Sequence, residues 1–247
     1  MTGEVSIPAF IRPLAMPALD EFVSWRAGEP PAEVALSVLC DLLEDRNEPV
    51  EAAHRRYKDV TDPATEPPIA PHHDTIMRHV FRPLKEAKQC YVLGMPVACI
   101  AQAGLVGEMV ALWRFRMLAP KLDDRPLDGE LQKLLLGREF DKMGQEERIR
   151  VLRAVDNLDH EVVHAFGQLR GLRRQYLHFM VDASRDVDRD AREALAHACL
   201  LVSRTLGMTI VNGAFAFPPR VMHYIRDILH VSDTDQPATE AGKDPAA

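Results

Sequence analysis

The chain has 247 residues, 47% of them apolar and 27% charged, with a net charge of −7. That size and balance suit one or two globular domains whose core needs no disulfide or metal staple. The acidic balance argues against a protein that coats nucleic acid through a broad basic surface, while leaving room for a local basic groove.

Helical periodicity dominates and alternating strand patterns are scarce, so an all-α fold is expected. Residues 1–30 are punctuated by proline, with one short helix expected near Leu19–Arg26. Pro30-Pro31 opens a helix over Ala32–Arg46, since proline suits the first helical turn. A shorter one follows from Pro49 to Lys58. Thr61–Pro71 carries four prolines and is expected to be a linker. Residues 1–70 are thus assigned to a helical extension with its linker, and 71–231 to a helical domain.

Beyond the linker a helix is predicted from Asp74 to Leu93, stopped at Gly94. Pro96 starts the next, which runs to Met117 and is apolar nearly all round, as a central buried helix would be. Pro120 and Pro126 bracket a loop. Short helices follow at Glu130–Leu136 and Gln145–Val155, the second with a possible continuation through Asn157 into a long helix ending near Phe179. After a polar turn at Asp182–Asp186, a helix is expected from Asp188 to Val211. Pro218-Pro219 begins a last one to Leu229, and residues 232–247 form a polar tail expected to be disordered.

The N-terminal MTGEVSIPAFIRPLAMPALDEF has no basic segment followed by a long apolar core, so no leader is expected. The longest apolar stretch, Val97 to Trp113, is interrupted by Gln102, two glycines and Glu108, too short and too polar for a membrane span. The four cysteines, Cys40, Cys90, Cys99 and Cys199, lie far apart with no C-x-x-C pair, which predicts free, buried thiols in a reducing compartment. A cytoplasmic protein without membrane contact is the expectation.

Three pieces in order carry a resemblance. PLKEAKQCYVLGMPVACIAQAGLVGEMVALW, from Pro83 to Trp113, pairs a helix and a small turn with an alanine-rich helix bearing Glu108 near its middle. LRGLRRQYLHF, from Leu169 to Phe179, holds Arg173, Arg174 and, after three further residues, His178. RDVDRDAREALAHACLLVSRTL, from Arg185 to Leu206, begins a helix with Asp190-Ala191. Together they resemble the HEPN superfamily, the higher eukaryote and prokaryote nucleotide-binding domain, over residues 74–211. The signature's second position, usually Asn or another small polar residue, is Arg174 here.

The resemblance implies a helical bundle that pairs as a two-fold homodimer and, in active members, cleaves RNA without metal or cofactor, in toxin–antitoxin or phage-defence settings. His178 would then move protons at the attacking or leaving oxygen. Arg173 would hold the phosphate. Arg170, Arg173 and Arg174 form a basic cluster, and Tyr176 is placed to stack on a base. The plainer reading is a basic helix C-terminus favoured by the macrodipole, with His178 packing or capping. Glu108, on a buried-looking helix, needs a cation: Arg173 or Arg174, with Arg114 or solvent as the alternative. A non-catalytic module that binds RNA, a nucleotide or a protein partner such as an antitoxin stays open, and Arg174 favours it.

A rival motif is His160-Glu161-Val162-Val163-His164, a formal H-E-x-x-H zinc match. The third ligand position of its longer form is Arg170, a cation. Val155, Leu158, Val162, Phe166, Leu169 and Leu172 make the buried stripe, which leaves His160 and His164 facing away from it. Glu193 fits a solvated face better than a ligand role. His72, His73, Asp74 and His79 are better explained as the start of a helix than as a metal site.

Overall fold

A computed structural model describes residues 50–61, 66–67, 74–156, 158–178, 185–211 and 214–234. The expected helices at Leu19–Arg26 and Ala32–Arg46, together with Cys40, His72, His73 and residues 235–247, lie outside the described residues. Within them the fold is all-α, with two small hairpins.

The elements in order are α1 (Val50–Val60), α2 (Asp74–Ile76), a π-helical turn (Met77–Phe81), α3 (Arg82–Val92) and α4 (Pro96–Leu118). Then come the hairpin β1 (Lys121–Leu122) and β2 (Arg125–Pro126), α5 (Gly129–Leu136), a 3-10 turn (Phe140–Lys142), α6 (Gln145–Val155), α7 (His160–His178) and α8 (Val187–Leu206). The hairpin β3 (Thr209–Val211) and β4 (Ala214–Ala216) leads into α9 (Pro219–Thr234).

Local chemistry explains most boundaries. The π turn follows from Pro83, which has no N–H and whose ring would crowd the His79 carbonyl in a regular helix. The ladder shifts by one, and the Arg82 N–H donates to the Met77 carbonyl. Gly94 takes a φ of 70° to turn α3 into α4, which starts on Pro96. Asp128 caps α5, its carboxylate accepting from the Glu130 and Leu131 amides. Asp159 does the same for α7 through Val162, and Asp186 for α8 through Arg189.

α4 is the axis of the bundle. It packs against α3, α6, α7 and α8. Ile100, Ala103, Val106 and Val110 are fully buried there against Leu84 and Ala87 of α3, Phe166 of α7 and Leu201 of α8. Each large aliphatic so enclosed contributes about 1.5–3 kcal/mol. By length and composition α4 would pass for a membrane span. Its enclosure by neighbouring helices is what its all-round apolar surface serves. Cys99 and Cys199 are buried free thiols and Cys90 a half-buried one; burial pushes the Cys199 thiol up to about 12.

Four expectations need correction. α6 and α7 do not merge: the helix stops at Asp156, whose carboxylate turns inward to Arg114 at 2.7 Å and Arg220 at 3.2 Å. Val155, expected in the buried stripe, is therefore exposed. The helix predicted to reach Val211 ends at Leu206, because Gly207 takes a φ of 55° and the β-branched run Thr209–Val211 pairs as a strand with Ala214–Ala216. Finally, α9 continues past Leu229 through Ser232, Asp233 and Thr234, the first residues of the expected tail.

The extension shares the core at the residues described. Ala53 and Tyr57 of α1 are buried, with α1 packed against α3 and α8. Glu66 in the proline-rich segment reaches Lys88 at 2.6 Å. Lys88 is almost fully buried and lies 4.8 Å over the Tyr57 ring, so a cation–π contact and an ion pair together hold this ammonium out of water.

Candidate functional site

The site begins with two glycines. Gly104 and Gly107 lie one turn apart on α4 and let α7 approach closely. A Cβ on Gly104 would stand 2.6 Å from Arg173 Cδ, and one on Gly107 3.1 Å from Leu169 Cδ1. Glu108, on the next residue of α4, forms an ion pair with Arg173, both half-buried. Glu108 thus takes the signature arginine as its partner, the first of the two expected.

α6 supplies the third wall. Its start is fixed by Glu147, whose carboxylate accepts from the Gly144 N–H, and by buried Arg148, which donates to the Phe140 and Asp141 carbonyls. Phe140 in turn stacks on Phe115 of α4 at 3.9 Å. This anchoring brings Gln145 and Glu146 to α7. Gln145 Nε2 donates to the Gly107 carbonyl at 3.1 Å, while its Oε1 is buried with no partner. Glu146 pairs with Arg170 at 2.5 Å.

Together Gly104, Gly107, Glu108, Gln145, Leu169, Arg170, Arg173 and Arg174 line a pocket of about 210 Å3. Three guanidiniums face two carboxylates at this spot. The pocket accordingly offers fork-shaped donors, suited to a phosphate or carboxylate.

Tyr176 requires a correction. It is 8% exposed, and its hydroxyl donates to Asp190 at 2.6 Å. Burial first, and the Asp190 carboxylate second, push its pKa up to about 12. A ring held this way cannot stack on a base. It serves instead to pin the end of α7 to α8, with Arg185 bridging Asp190 at 3.0 Å and Gln175 at 2.6 Å.

His178 is the last residue of α7, and its side chain lies outside the described residues. Helical register separates its backbone position from that of Arg173 by roughly 140° around α7 and about 7.5 Å along it. It stands one turn beyond Arg174, on the same face.

The H-E-x-x-H residues sit on the opposite side of α7 from its core stripe. His160, Glu161 and His164 are exposed. Glu161 pairs with Arg204 at 2.5 Å. The His164 ring lies edge-on to His197 at 5.7 Å, and burial followed by the proximity of His164 lowers the His197 pKa. Among the described residues no group of three metal-ligating side chains is arranged to hold an ion.

Comparison with protein-family models, curated proteins and solved structures gives no match for this chain.

Sequence reasoning missed Gln145 and Glu146, and noted Asp190 without its bond to Tyr176. The glycine pair was a readable signal, because glycine inside a buried helix marks close approach of another element. Gly104→Ala is expected to cost about 1 kcal/mol net, overpacking outweighing the gain in helix propensity. A Cβ on Gly167 would meet nothing within 4 Å, so Gly167→Ala should stabilise by about 0.5–1 kcal/mol. Urea unfolding of the two variants reads both signs.

Proposed function

We propose that the protein is a HEPN-like, metal-independent endoribonuclease of the toxin or defence type, acting as a homodimer. The observation that carries this reading is the pocket in which Arg170, Arg173 and Arg174 converge over the glycine floor beside Glu108. An RNA phosphate fits the arginine donors.

In this mechanism the 2′-hydroxyl attacks the adjacent phosphorus. The bond to the 5′-oxygen breaks, leaving a 2′,3′-cyclic phosphate and a 5′-hydroxyl. Arg173 stabilises the charge gathering on the phosphoryl oxygens. His178 takes the proton from the attacking hydroxyl or returns one to the leaving oxygen. Glu108 orients Arg173. Two-fold pairing would bring two Arg/His sets to one cleft.

A second reading is a non-catalytic module binding RNA, a nucleotide or a protein such as an antitoxin. Two observations favour it: the half-buried Glu108 already offsets Arg173, and straight-helix register sets His178 on the face of Arg174 rather than Arg173.

Incubating the purified protein with structured and single-stranded RNA in EDTA tests the first reading. Cleavage leaving cyclic phosphate ends and lost in His178→Ala is the expected result. RNA bound but left intact, with binding reduced in Arg173→Ala, would transfer the assignment to the second.

A further inference from the structure

α7 and α8 lie side by side in opposite directions, tied by Glu161 to Arg204, His164 to His197 and Tyr176 to Asp190. The first tie is an exposed ion pair and the last a buried hydrogen bond. The middle one differs in kind, because it joins two groups that can carry only the same charge. The His164 and His197 rings meet edge-on with centroids 5.7 Å apart, and His160 stacks beyond His164 at 6.4 Å.

His197 is the half-buried member of the pair, and its surroundings favour the neutral ring. Burial disfavours its charged form first, and the neighbouring His164 second. Glu193, one turn earlier on the same helix, pulls the other way. That carboxylate is engaged by Arg189 at 2.9 Å, and Glu161 on α7 by Arg204. α4, α3 and α1, which also pack on α8, bring no charge to bear on the ring.

We propose that His164 and His197 form a pH-sensitive joint between α7 and α8, which holds while the rings are uncharged and is opposed once acid protonates them. Acidification then weakens the seating of the helix that carries the arginine pocket, through two side chains that do not line it. The joint stands whether or not the protein cleaves RNA. A histidine that takes up its proton less readily in the folded chain than in the unfolded one stabilises the fold fully above the ordinary histidine range. That contribution is lost as the pH falls from there to the folded value.

Nuclear magnetic resonance of the histidine ring protons in the full-length protein, titrated with acid and assigned through His164→Gln and His197→Gln, tests the joint. His197 is expected to titrate below the ordinary histidine value. It should move up in His164→Gln, where the neighbouring charge is gone; His164 is exposed, so this substitution leaves the fold intact. In urea unfolding the wild type should lose more stability between about pH 8 and about pH 5.5 than His197→Gln, which cannot take the proton. A His197 that titrates at or above the ordinary value overturns the proposal. So does a value unmoved in His164→Gln, or an equal loss of stability in the wild type and His197→Gln.

Discussion

Asp156→Ala is expected to lower the unfolding free energy by about 3–5 kcal/mol, the usual loss when one member of a buried ion pair is removed. Asp156 is 4% exposed and Arg114 7% exposed at their side chains. Without the carboxylate, the Arg114 guanidinium keeps only a 3.4 Å contact to the Thr205 hydroxyl, and a buried cation is left uncompensated. Arg220, more exposed, is freed to solvent at little cost. The substitution also removes the tie between α4, the end of α6 and the start of α9. Urea unfolding followed by circular dichroism measures the effect: the midpoint should fall with the slope unchanged. A loss under about 1 kcal/mol would show that water reaches Arg114 and that the triad does not organise this corner.

Under the proposed ribonuclease function, Arg173→Ala is expected to reduce RNA cleavage by about 10²- to 10³-fold, the range seen when one preorganised donor to a developing oxyanion is removed. Stability should change little, because Glu108, its partner, is 26% exposed and can be hydrated. The informative companion is Glu108→Gln. Glu108 competes with any incoming phosphate for the same guanidinium, so neutralising it should tighten RNA binding. The dependence of log affinity on log salt should steepen by about 0.7, one more phosphate contact on a single strand. Cleavage should not rise with it, since the amide orients Arg173 less firmly than the carboxylate. Filter binding across a salt series, with a cleavage assay alongside, separates the two roles. Weaker binding in Glu108→Gln would mean that the carboxylate holds the pocket open rather than guarding it.

Much of the bundle was legible because its determinants are local. Gly94 and Pro96 punctuate α3 and α4, and the unbroken apolar surface of Pro96–Leu118 marks a central helix. Glu108 also announced its own need: a carboxylate among Val106, Val110 and Ala111 requires a cation, and an arginine of the signature supplies it. What escaped depends on residues distant in sequence. The break at Asp156 interrupts a pattern that continues smoothly into Leu158 and Val162. It is decided by Arg114 and Arg220, 42 and 64 residues away. Tyr176 looks like a free aromatic beside three arginines until Asp190 is seen to hold its hydroxyl. Gln145 has no signal of its own, since its position depends on the Phe115–Phe140 stack that seats α6.

The approach of α7 to α4 also binds the two helices in their descent. Arg173 occupies the space that a side chain on Gly104 would take, so a larger residue at one position demands a smaller one at the other. A lineage that surrendered Arg173 would be released to fill Gly104 and gain helix stability from doing so. One that kept the arginine would have to keep the glycine. Whether substitutions at these two positions travel together among descendants of a common ancestor is therefore a record, written in packing, of whether the pocket was still in use.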